Sequence, residues 1–474
     1  MRDERGDRTH RHRRVADESY AESYAGAMAA AAIPGPGGPQ MLANIAAMRR
    51  RPGDFLAQCS QRYGPVVRFP IPRSDVLLVT DPVDVRKVLQ GNHTAYGKRT
   101  IQYDTLALVT GSGLLASDGE LWKRMRRLMS PAFHHRLVDD MAPSVVQITY
   151  DWLESMRTRG DATVDLDSEM LQLSLHIVAA TLFGGSIHDT AALVRAVMDA
   201  LHVVVAKAQQ PWAVPPSWPT PANRRLSSAL TVIDRAADDL IAARRAGSGG
   251  DDVLWSLIGA MDEGLASARE VRDEIVTLIV AGHETVAATL TWTWALLAQN
   301  SGVERRLHAE VDQVGSDELR SASVLGRLPY TRAVVDECLR LYPPAWVITR
   351  RCLEPDVLAG YEVPAGATVI MSPFVMQRDA RHWPRPTLFE PSRFVGVDRG
   401  DAGTGPLTYF PFGAGPRLCI GRELALLEAP LVVASIARRL LFRIDRPAEN
   451  RLDFGVTLRP RGGLTGRPEW RSRG

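Results

Sequence analysis

The chain contains 474 residues, of which 45% are hydrophobic and 23% are charged. This composition is typical of a globular protein with a large core and excludes a wholly disordered chain. The formal net charge of +3 gives no indication of a nucleic-acid partner, and four cysteines in so long a chain exclude a disulfide-stabilised scaffold.

Residues 1–33 combine many charged side chains with a short alanine-rich segment, and we expect them to form a disordered charged tail. No apolar stretch of signal-peptide length occurs there. Residues 275–298 are the best candidate for a membrane span, but His283 and Glu284 near their middle would be costly in lipid. We therefore expect a monomeric cytoplasmic protein without a membrane anchor.

The predicted elements indicate a mainly α protein with small β sheets. Residues 66–71 and 76–80 predict a β-hairpin, and residues 81–90 (DPVDVRKVLQ) predict a helix capped by Asp81. Amphipathic helices dominate residues 120–342, and the longest is expected over residues 268–300.

The C-terminal part of the chain has a mixed pattern. Residues 360–372 (GYEVPAGATVIMS) predict two short strands around a Pro–Ala–Gly turn, and a last helix is expected from Ile420. No linker is long enough to require separate domains, so residues 34–474 are predicted to form a single domain.

Residues 412–421 read FGAGPRLCIG, a glycine-rich loop with Cys419 at its end and a helical run directly after it. A thiolate at this position would be stabilised by the helix N-terminus. Such a sulfur can be a redox thiol, a nucleophile or a metal ligand. No histidine lies nearby for nucleophilic catalysis, and the other three cysteines lack zinc-site spacing, whereas a single thiolate ligand suits a haem iron.

The same segment resembles the haem-ligand signature FxxGxRxCxG of the cytochrome P450 monooxygenases. The matching residues are Phe412, Gly415, Arg417, Cys419 and Gly421. The resemblance implies the family's fold, a triangular helical domain around haem with a minor β-rich region. It also implies that Cys419 is the axial thiolate ligand of a haem b iron, that Arg417 contacts a haem propionate, and that the loop, including Gly413, lies against the cofactor.

Two further matches concern the haem propionates and the loops beneath the haem. Trp122 and Arg126 form the WxxxR pattern that in this family contacts a propionate, and Arg350 matches the position of another propionate-binding arginine. Glu337 and Arg340 form an ExxR pair on a helix. The resemblance implies that this pair joins the arginine of PSRF, Arg393, in a buried structural cluster.

The long predicted helix contains AGHETV at residues 281–286, similar to the family's oxygen-activation motif. The resemblance implies that Ala281 and Gly282 let the helix backbone part and leave room for O2 as co-substrate. It also implies that Thr285 and Glu284 deliver protons during oxygen activation. A threonine bonded back to its own helix is the structural alternative for Thr285, and His283 receives no role.

The resemblance implies insertion of one oxygen atom from O2 into a hydrophobic small molecule, by hydroxylation or epoxidation. Leu278, Trp346, Val347, Ile348 and Trp212 are the predicted substrate contacts, and their apolar character indicates a large apolar substrate rather than a charged one. The segments PPAWVITRR (residues 343–351) and PANRR (residues 221–225) resemble bacterial enzymes that oxidise terpenes. This resemblance favours a terpenoid, with a polyketide or another secondary metabolite as alternatives. No segment long enough for a flavin or iron–sulfur domain follows the last predicted strands. We therefore expect electrons from ferredoxin and ferredoxin reductase, or from flavodoxin.

A basic surface near the cysteine loop is predicted to receive the acidic electron donor. The residues expected to form it are Lys123, Arg124, Arg127 and Arg422. Two other functions stay open at this point: a haem-thiolate enzyme that uses peroxide or rearranges its substrate, and a non-catalytic haem-binding sensor.

Overall fold

The computed structural model describes residues 32–71, 74–160, 162–209, 214–215, 217–247, 250, 252–397, 406–444 and 452–471. The prediction of a disordered tail falls almost wholly on residues 1–31, and these residues and Trp212 lie outside the described residues. Within the described part, helices predominate and the strands are short, so the predicted mainly α fold with small sheets is confirmed.

The helices in chain order are α1 (Gly38–Arg50), α2 (Pro52–Tyr63), α3 (Pro82–Arg86), α4 (Ile101–Thr110), α5 (Gly119–Met129), α6 (His135–Asp139), α7 (Ala142–Arg159), α8 (Leu166–Leu182), α9 (Thr190–Ala208), α10 (Pro221–Ala246), α11 (Val253–Asp262), α12 (Ala268–Gln299), α13 (Ser301–Val311), α14 (Pro329–Leu341), α15 (Pro373–Met376) and α16 (Arg422–Ala437). The strands are β1 (Val66–Ile71), β2 (Ser74–Val79), β3 (Tyr96–Gly97), β4 (Val164–Asp165), β5 (Ile348–Cys352), β6 (Asp356–Leu358), β7 (Tyr361–Val363), β8 (Thr368–Met371), β9 (Leu440–Arg443), β10 (Leu452–Phe454), β11 (Leu458–Pro460) and β12 (Thr465–Trp470).

The main sheet has the strand order β1-β2-β8-β5-β3. The predicted hairpin is present, because β1 and β2 pair antiparallel from Val66 opposite Val79 to Ile71 opposite Ser74. The smaller sheets are β4-β12-β9, β6-β7 and β10-β11. A large hydrophobic core joins most of the helices, and a second, smaller core lies against the main sheet.

The two strands predicted around the Pro–Ala–Gly turn are present as β7 and β8. They belong to different sheets, because β7 pairs with β6 whereas β8 pairs with β2 and β5. Two other local predictions need correction. The predicted helix at residues 81–90 is a single α-helical segment followed by a π-helical turn, Lys87–Gly91. The last helix begins at Arg422 rather than at Ile420, because the backbone of Gly421, its N-cap residue, is not helical.

Helix α12 is the central core helix. Ser267 and Glu270 form a reciprocal capping box at its start, with hydrogen bonds of 3.2 and 2.8 Å. Its 32 residues span about 48 Å at about 1.5 Å per residue. By length and composition this helix could cross a membrane, but 83% of its most apolar window is buried inside the protein.

The glycine of the AGHETV segment serves helix packing. Helix α12 is assigned as α-helix throughout residues 281–286. A Cβ atom added to Gly282 would lie 3.1 Å from Cγ2 of Val178 on α8. The missing side chain therefore lets α8 and α12 approach closely.

The N-terminal turns of α12 fix the loop at residues 111–117. The Asp273 carboxylate accepts a 2.8 Å hydrogen bond from the Ser112 N–H, and Glu274 Oε2 accepts one of 2.9 Å from the Leu114 N–H. The approach is close, because a Cβ on Gly113 would lie 2.0 Å from the Thr277 hydroxyl. Burial of Glu274, together with the Asp273 charge, raises its pKa to about 7.

We expect the Glu274→Gln variant to change the pH dependence of stability. The folded protein holds the Glu274 proton more tightly than the unfolded chain, so the free energy of unfolding falls as pH rises from about 4.5 to about 7. Relative to the parent, the variant should gain about 2–3 kcal/mol between about pH 5 and about pH 8. Chemical unfolding at several pH values measures this difference.

The matched control is Glu263→Gln, which removes an exposed carboxylate just before the same helix. Its effect on stability should be small, because water solvates this exposed side chain in both the folded and the unfolded protein. Parallel stability curves for the parent and Glu274→Gln would show that Glu274 does not titrate in this range.

Candidate active site

The loop that carries Cys419 is closed by its own backbone. The Cys419 N–H donates to the Phe412 carbonyl at 3.0 Å, and the Leu418 N–H donates to the Gly415 carbonyl at 2.9 Å. Gly413 and Gly415 have φ values of 73° and 71°, which favour glycine. A Cβ on Gly415 would also lie 2.0 Å from the Leu89 carbonyl oxygen, so this loop packs directly on the π-helical turn.

The Cys419 side chain is exposed, whereas Cys59, Cys338 and Cys352 are buried. Desolvation by the surrounding protein atoms raises the pKa of the thiol. The Gly421 N–H and the charges of Arg126 and Arg422 act in the opposite direction. The protein therefore gives a thiolate partial electrostatic support, and coordination to a metal would supply the rest.

Arg417 is held rigidly beside this loop. Its guanidinium forms a salt bridge with Asp118 and donates to the Ser117 carbonyl at 3.0 Å. It also lies 4.2 Å from the centre of the Trp122 ring, a cation–π contact. The structure thus brings together two predicted propionate-site residues from segments about 300 positions apart.

A cluster of cations surrounds Arg417. Burial lowers the pKa of Lys98 far below its ordinary range, and the neighbouring Arg350, Arg417 and Arg126 lower it further. Burial also lowers the pKa values of Arg126 and Arg417. The Asp118 carboxylate lies among these groups and offsets only part of their charge. Such a donor set fits a ligand with two carboxylates, as the propionates of haem require.

Sequence reasoning missed Lys98, Asp118 and Tyr103. The Lys98 ammonium lies 5.1 Å from the centre of the Tyr103 ring, and Arg350 Nη1 lies 3.2 Å from the Tyr103 hydroxyl. The backbone N–H of Lys98 and the guanidinium of Arg417 both donate to the Asp118 carboxylate. Lys98 is one of only four lysines beside 53 arginines, and this rarity was the signal available in the sequence.

The predicted Glu–Arg–Arg cluster is assembled in the core. Glu337 and Arg340 are fully buried and bonded by two contacts of 2.7 Å. Arg393 Nε lies 3.2 Å from Glu337 Oε1. The Arg340 guanidinium also donates to the carbonyls of Gln377 and Pro386, at 2.7 and 2.8 Å. This cluster fixes the irregular segment that precedes the cysteine loop.

On α12, the motif residues face different surroundings. Residues 273–297 are all described, and all of them are buried except three. These three are Ala281, Gly282 and Thr285, which are partly exposed. The Thr285 hydroxyl donates to the Ala281 carbonyl at 2.7 Å, the helix-bonded geometry weighed as its structural alternative. In this rotamer the hydroxyl proton is engaged by the helix, and the hydroxyl oxygen can only accept a hydrogen bond from a ligand.

Glu284 is directed toward the C-terminal strands. Its Oε1 accepts a 2.9 Å hydrogen bond from the Thr457 hydroxyl and lies 3.6 Å from Arg459 Nε. Burial raises the pKa of Glu284, and the nearby Arg459 lowers it. The adjacent His283 is fully buried, bonds the Ile279 carbonyl, and has a pKa lowered to about 4, so this ring is neutral.

The predicted substrate contacts differ in their surroundings. Leu278 is buried on α12, and Ile348 Cδ1 lies 3.9 Å from the position of a Cβ on Gly413, next to the cysteine loop. Val347 is half-buried. The Trp346 indole donates to the Gly455 carbonyl at 2.9 Å and packs against Phe454, so its ring is already committed to a structural contact.

A family model described as cytochrome P450 matches residues 34–464 of the chain. This chain belongs to the cytochrome P450 family. Cyclooctatin synthase of Streptomyces melanosporofaciens is 35% identical to this P450, over 86% of the chain and 89% of the relative. Pentalenene oxygenase of Streptomyces avermitilis is 30% identical, over 88% of the chain and 92% of that relative. The crystal structure of CYP175A1 from Thermus thermophilus matches this P450 with a TM-score of 0.75 and 31% sequence identity. The match covers 92% of this chain and 100% of CYP175A1.

The P450 is therefore a monooxygenase, and both the predicted family and the predicted enzyme class are confirmed. The family implies haem with a cysteine thiolate ligand and the use of O2. Haem supplies the redox chemistry by which one oxygen atom of O2 is inserted into a substrate.

Proposed function

We propose that this P450 hydroxylates or epoxidises an apolar terpenoid. The observation that carries the proposal is the uncharged character of Leu278, Ala281, Val347 and Ile348, which adjoin the cysteine loop or line α12. Surfaces of this kind favour a ligand without charge. The similarity to a cyclooctatin synthase and a pentalenene oxygenase favours a cyclic terpenoid over a polyketide.

The residues of the site have distinct roles in this proposal. Cys419 ligates the haem iron, and Arg126, Arg350, Arg417 and Lys98 neutralise the haem propionates. The cations and the closed cysteine loop orient the cofactor and exclude water from its carboxylates.

Two residues of α12 handle protons. Thr285 orients a proton donor after its hydroxyl leaves the Ala281 carbonyl, and Glu284 supplies protons after it leaves its bond with Thr457. In both cases the observed hydrogen bond must first be exchanged for another one.

Electrons reach the protein from ferredoxin and its reductase, or from flavodoxin, in the cytoplasm. The surface proposed to bind the electron donor has a smaller excess of positive charge than its lysine and arginine content indicates. Lys123 lies 2.7 Å from Glu120, and Arg422 lies 2.5 Å from Glu423. Arg124 is paired with Glu270 on α12. A donor that binds this surface must therefore compete with these carboxylates.

The proposal is tested by screening ligands with the haem-loaded protein. Cyclic terpenoid hydrocarbons and alcohols, long-chain fatty acids and macrolactones are added, and the shift of the Soret band is recorded. We expect terpenoids to shift the band and to yield a product one oxygen atom heavier with O2, ferredoxin, ferredoxin reductase and NADPH. Fatty acids should have little effect, because no charged side chain occurs among the proposed contacts.

The two alternatives give different outcomes in the same experiment. Turnover with hydrogen peroxide but not with O2 and the reductase system would indicate the peroxide-driven enzyme. A Soret shift without product under either condition would indicate a sensor. Binding and oxidation of fatty acids alone would contradict the proposed substrate class.

A further inference from the structure

The C-terminal hairpin, formed by β10, its turn at residues 455–457 and β11, contacts the acid of the AGHETV segment directly. The Thr457 hydroxyl donates to Glu284 Oε1 at 2.9 Å. Arg459 Nη2 donates to the backbone carbonyl of Glu284 at 3.0 Å, and its Nε lies 3.6 Å from the same carboxylate. Glu284, Thr457 and Arg459 are at most 5% exposed, so these contacts are shielded from water.

The same hairpin contacts the segment predicted to meet the substrate. The Leu458 N–H donates to the Pro344 carbonyl at 3.0 Å, and the Trp346 indole donates to the Gly455 carbonyl at 2.9 Å. Residues 344–346 lead directly into Val347 and Ile348. A ligand that displaces this segment would therefore move the hairpin that holds Glu284.

In this cluster, two buried carboxyl groups share one guanidinium group. Arg459 also forms a 2.5 Å salt bridge with Asp167 of α8, so one guanidinium serves two buried carboxyl groups. Burial raises the pKa values of both Glu284 and Asp167, and Arg459 lowers both. The other titratable groups beside Glu284 are His202 on α9 and the neutral His283. A small change in the distance to Arg459 thus changes which carboxyl holds a proton.

We propose that Thr457 and Arg459 are positioning residues that hold Glu284 away from Thr285, and that movement of the C-terminal hairpin on substrate binding releases Glu284 for proton delivery. The effect of this release on proton delivery rests on the proposed monooxygenase reaction. The restraint itself is a property of the resting protein. Thr285 and Glu284 make separate hydrogen bonds in this structure, which agrees with a restrained state.

The first test needs no substrate and no turnover. In the haem-loaded ferric protein, the C=O band of protonated Glu284 is followed by infrared difference spectroscopy during a pH titration and identified by its loss in Glu284→Gln. We expect Arg459→Met to raise the midpoint by about 1–2 pH units, because a neighbouring positive charge is lost. Thr457→Val should raise it by a smaller amount, and Thr457→Ser should restore the parent value.

The second test is consumption of NADPH with the reductase system and no ligand. Release of Glu284 in Thr457→Val should increase this uncoupled rate about tenfold, because one hydrogen bond to a charged group is lost. The control is Thr293→Val, on the same helix, whose hydroxyl bonds the Thr289 carbonyl and interacts with the Cys338 thiol rather than with Glu284. It should leave both the Glu284 midpoint and the uncoupled rate unchanged.

Identical Glu284 midpoints in the parent, Thr457→Val and Arg459→Met would overturn the proposal, as would equal uncoupled rates in Thr457→Val and Thr293→Val. Thr457→Val keeps the test decisive if Arg459→Met does not fold. Failure of the proposed terpenoid oxidation is detected separately, by the ligand screen, because neither the midpoint nor the uncoupled rate depends on the identity of the substrate.

Discussion

Replacement of Cys419 by serine is expected to abolish monooxygenase activity while leaving the fold intact. The thiol is exposed at the end of a loop closed by backbone hydrogen bonds, so its removal leaves the Phe412–Cys419 contact in place. A serine hydroxyl is a poor substitute for a thiolate donor to haem iron. The reduced protein with carbon monoxide should lose the absorption band typical of thiolate ligation, and no product should form with any ligand.

The control for this change is Cys59→Ala, which removes a buried thiol on α2 that lies outside the cysteine loop. It should lower stability slightly through the lost packing and keep the carbon monoxide band. A thiolate-type band that persists in Cys419→Ser would show that another cysteine ligates the iron, and would contradict the assignment of Cys419.

The second large effect is expected at Glu337. The Glu337→Gln variant removes the one negative charge that Arg340 and Arg393 share inside the cluster, and it leaves the fully buried Arg340 without a carboxylate partner. Breaking a buried ion pair in this way costs about 3–5 kcal/mol. Chemical unfolding of the protein should show this loss, and purified Glu337→Gln should retain little haem, because the segment before Cys419 loses its anchor.

Glu318→Gln is the matched control, because Glu318 pairs with Arg327 on the surface, where both side chains are about half exposed. Its effect on unfolding should be far smaller than that of Glu337→Gln, since water solvates both groups after the exchange. Equal effects of the two substitutions would mean that the buried cluster does not stabilise the fold.

The sequence motifs predicted which residues matter more reliably than where their side chains point. Cys419, Arg417 and Glu337 were found because each lies in a short pattern with fixed spacing, and such a pattern reflects one local piece of backbone. Glu284 also lies in a pattern, yet its carboxylate is bonded to Thr457, which is 173 positions away. Nothing in the pattern around Glu284 specifies that partner.

Contacts between distant segments explain the other differences. Asp118 caps α5, and its salt bridge with Arg417 depends on two segments that meet only in the folded protein. Gly282 was interpreted through the oxygen-activation motif, whereas its neighbour is Val178 on another helix. The Trp346 ring is predicted to contact substrate because it is large and apolar, whereas its hydrogen bond to the Gly455 carbonyl, 109 positions away, could not be read from the sequence.

The wide spacing of the cationic cluster has a consequence for the biogenesis of the protein. Lys98 and Arg126 are synthesised about 300 residues before Arg417 and Cys419. A nascent chain therefore has an incomplete set of the cations that bind a dicarboxylate, and lacks the thiol that binds iron, until residue 419 has been synthesised. Truncated chains that end before Arg417 should accumulate in the cofactor-free form.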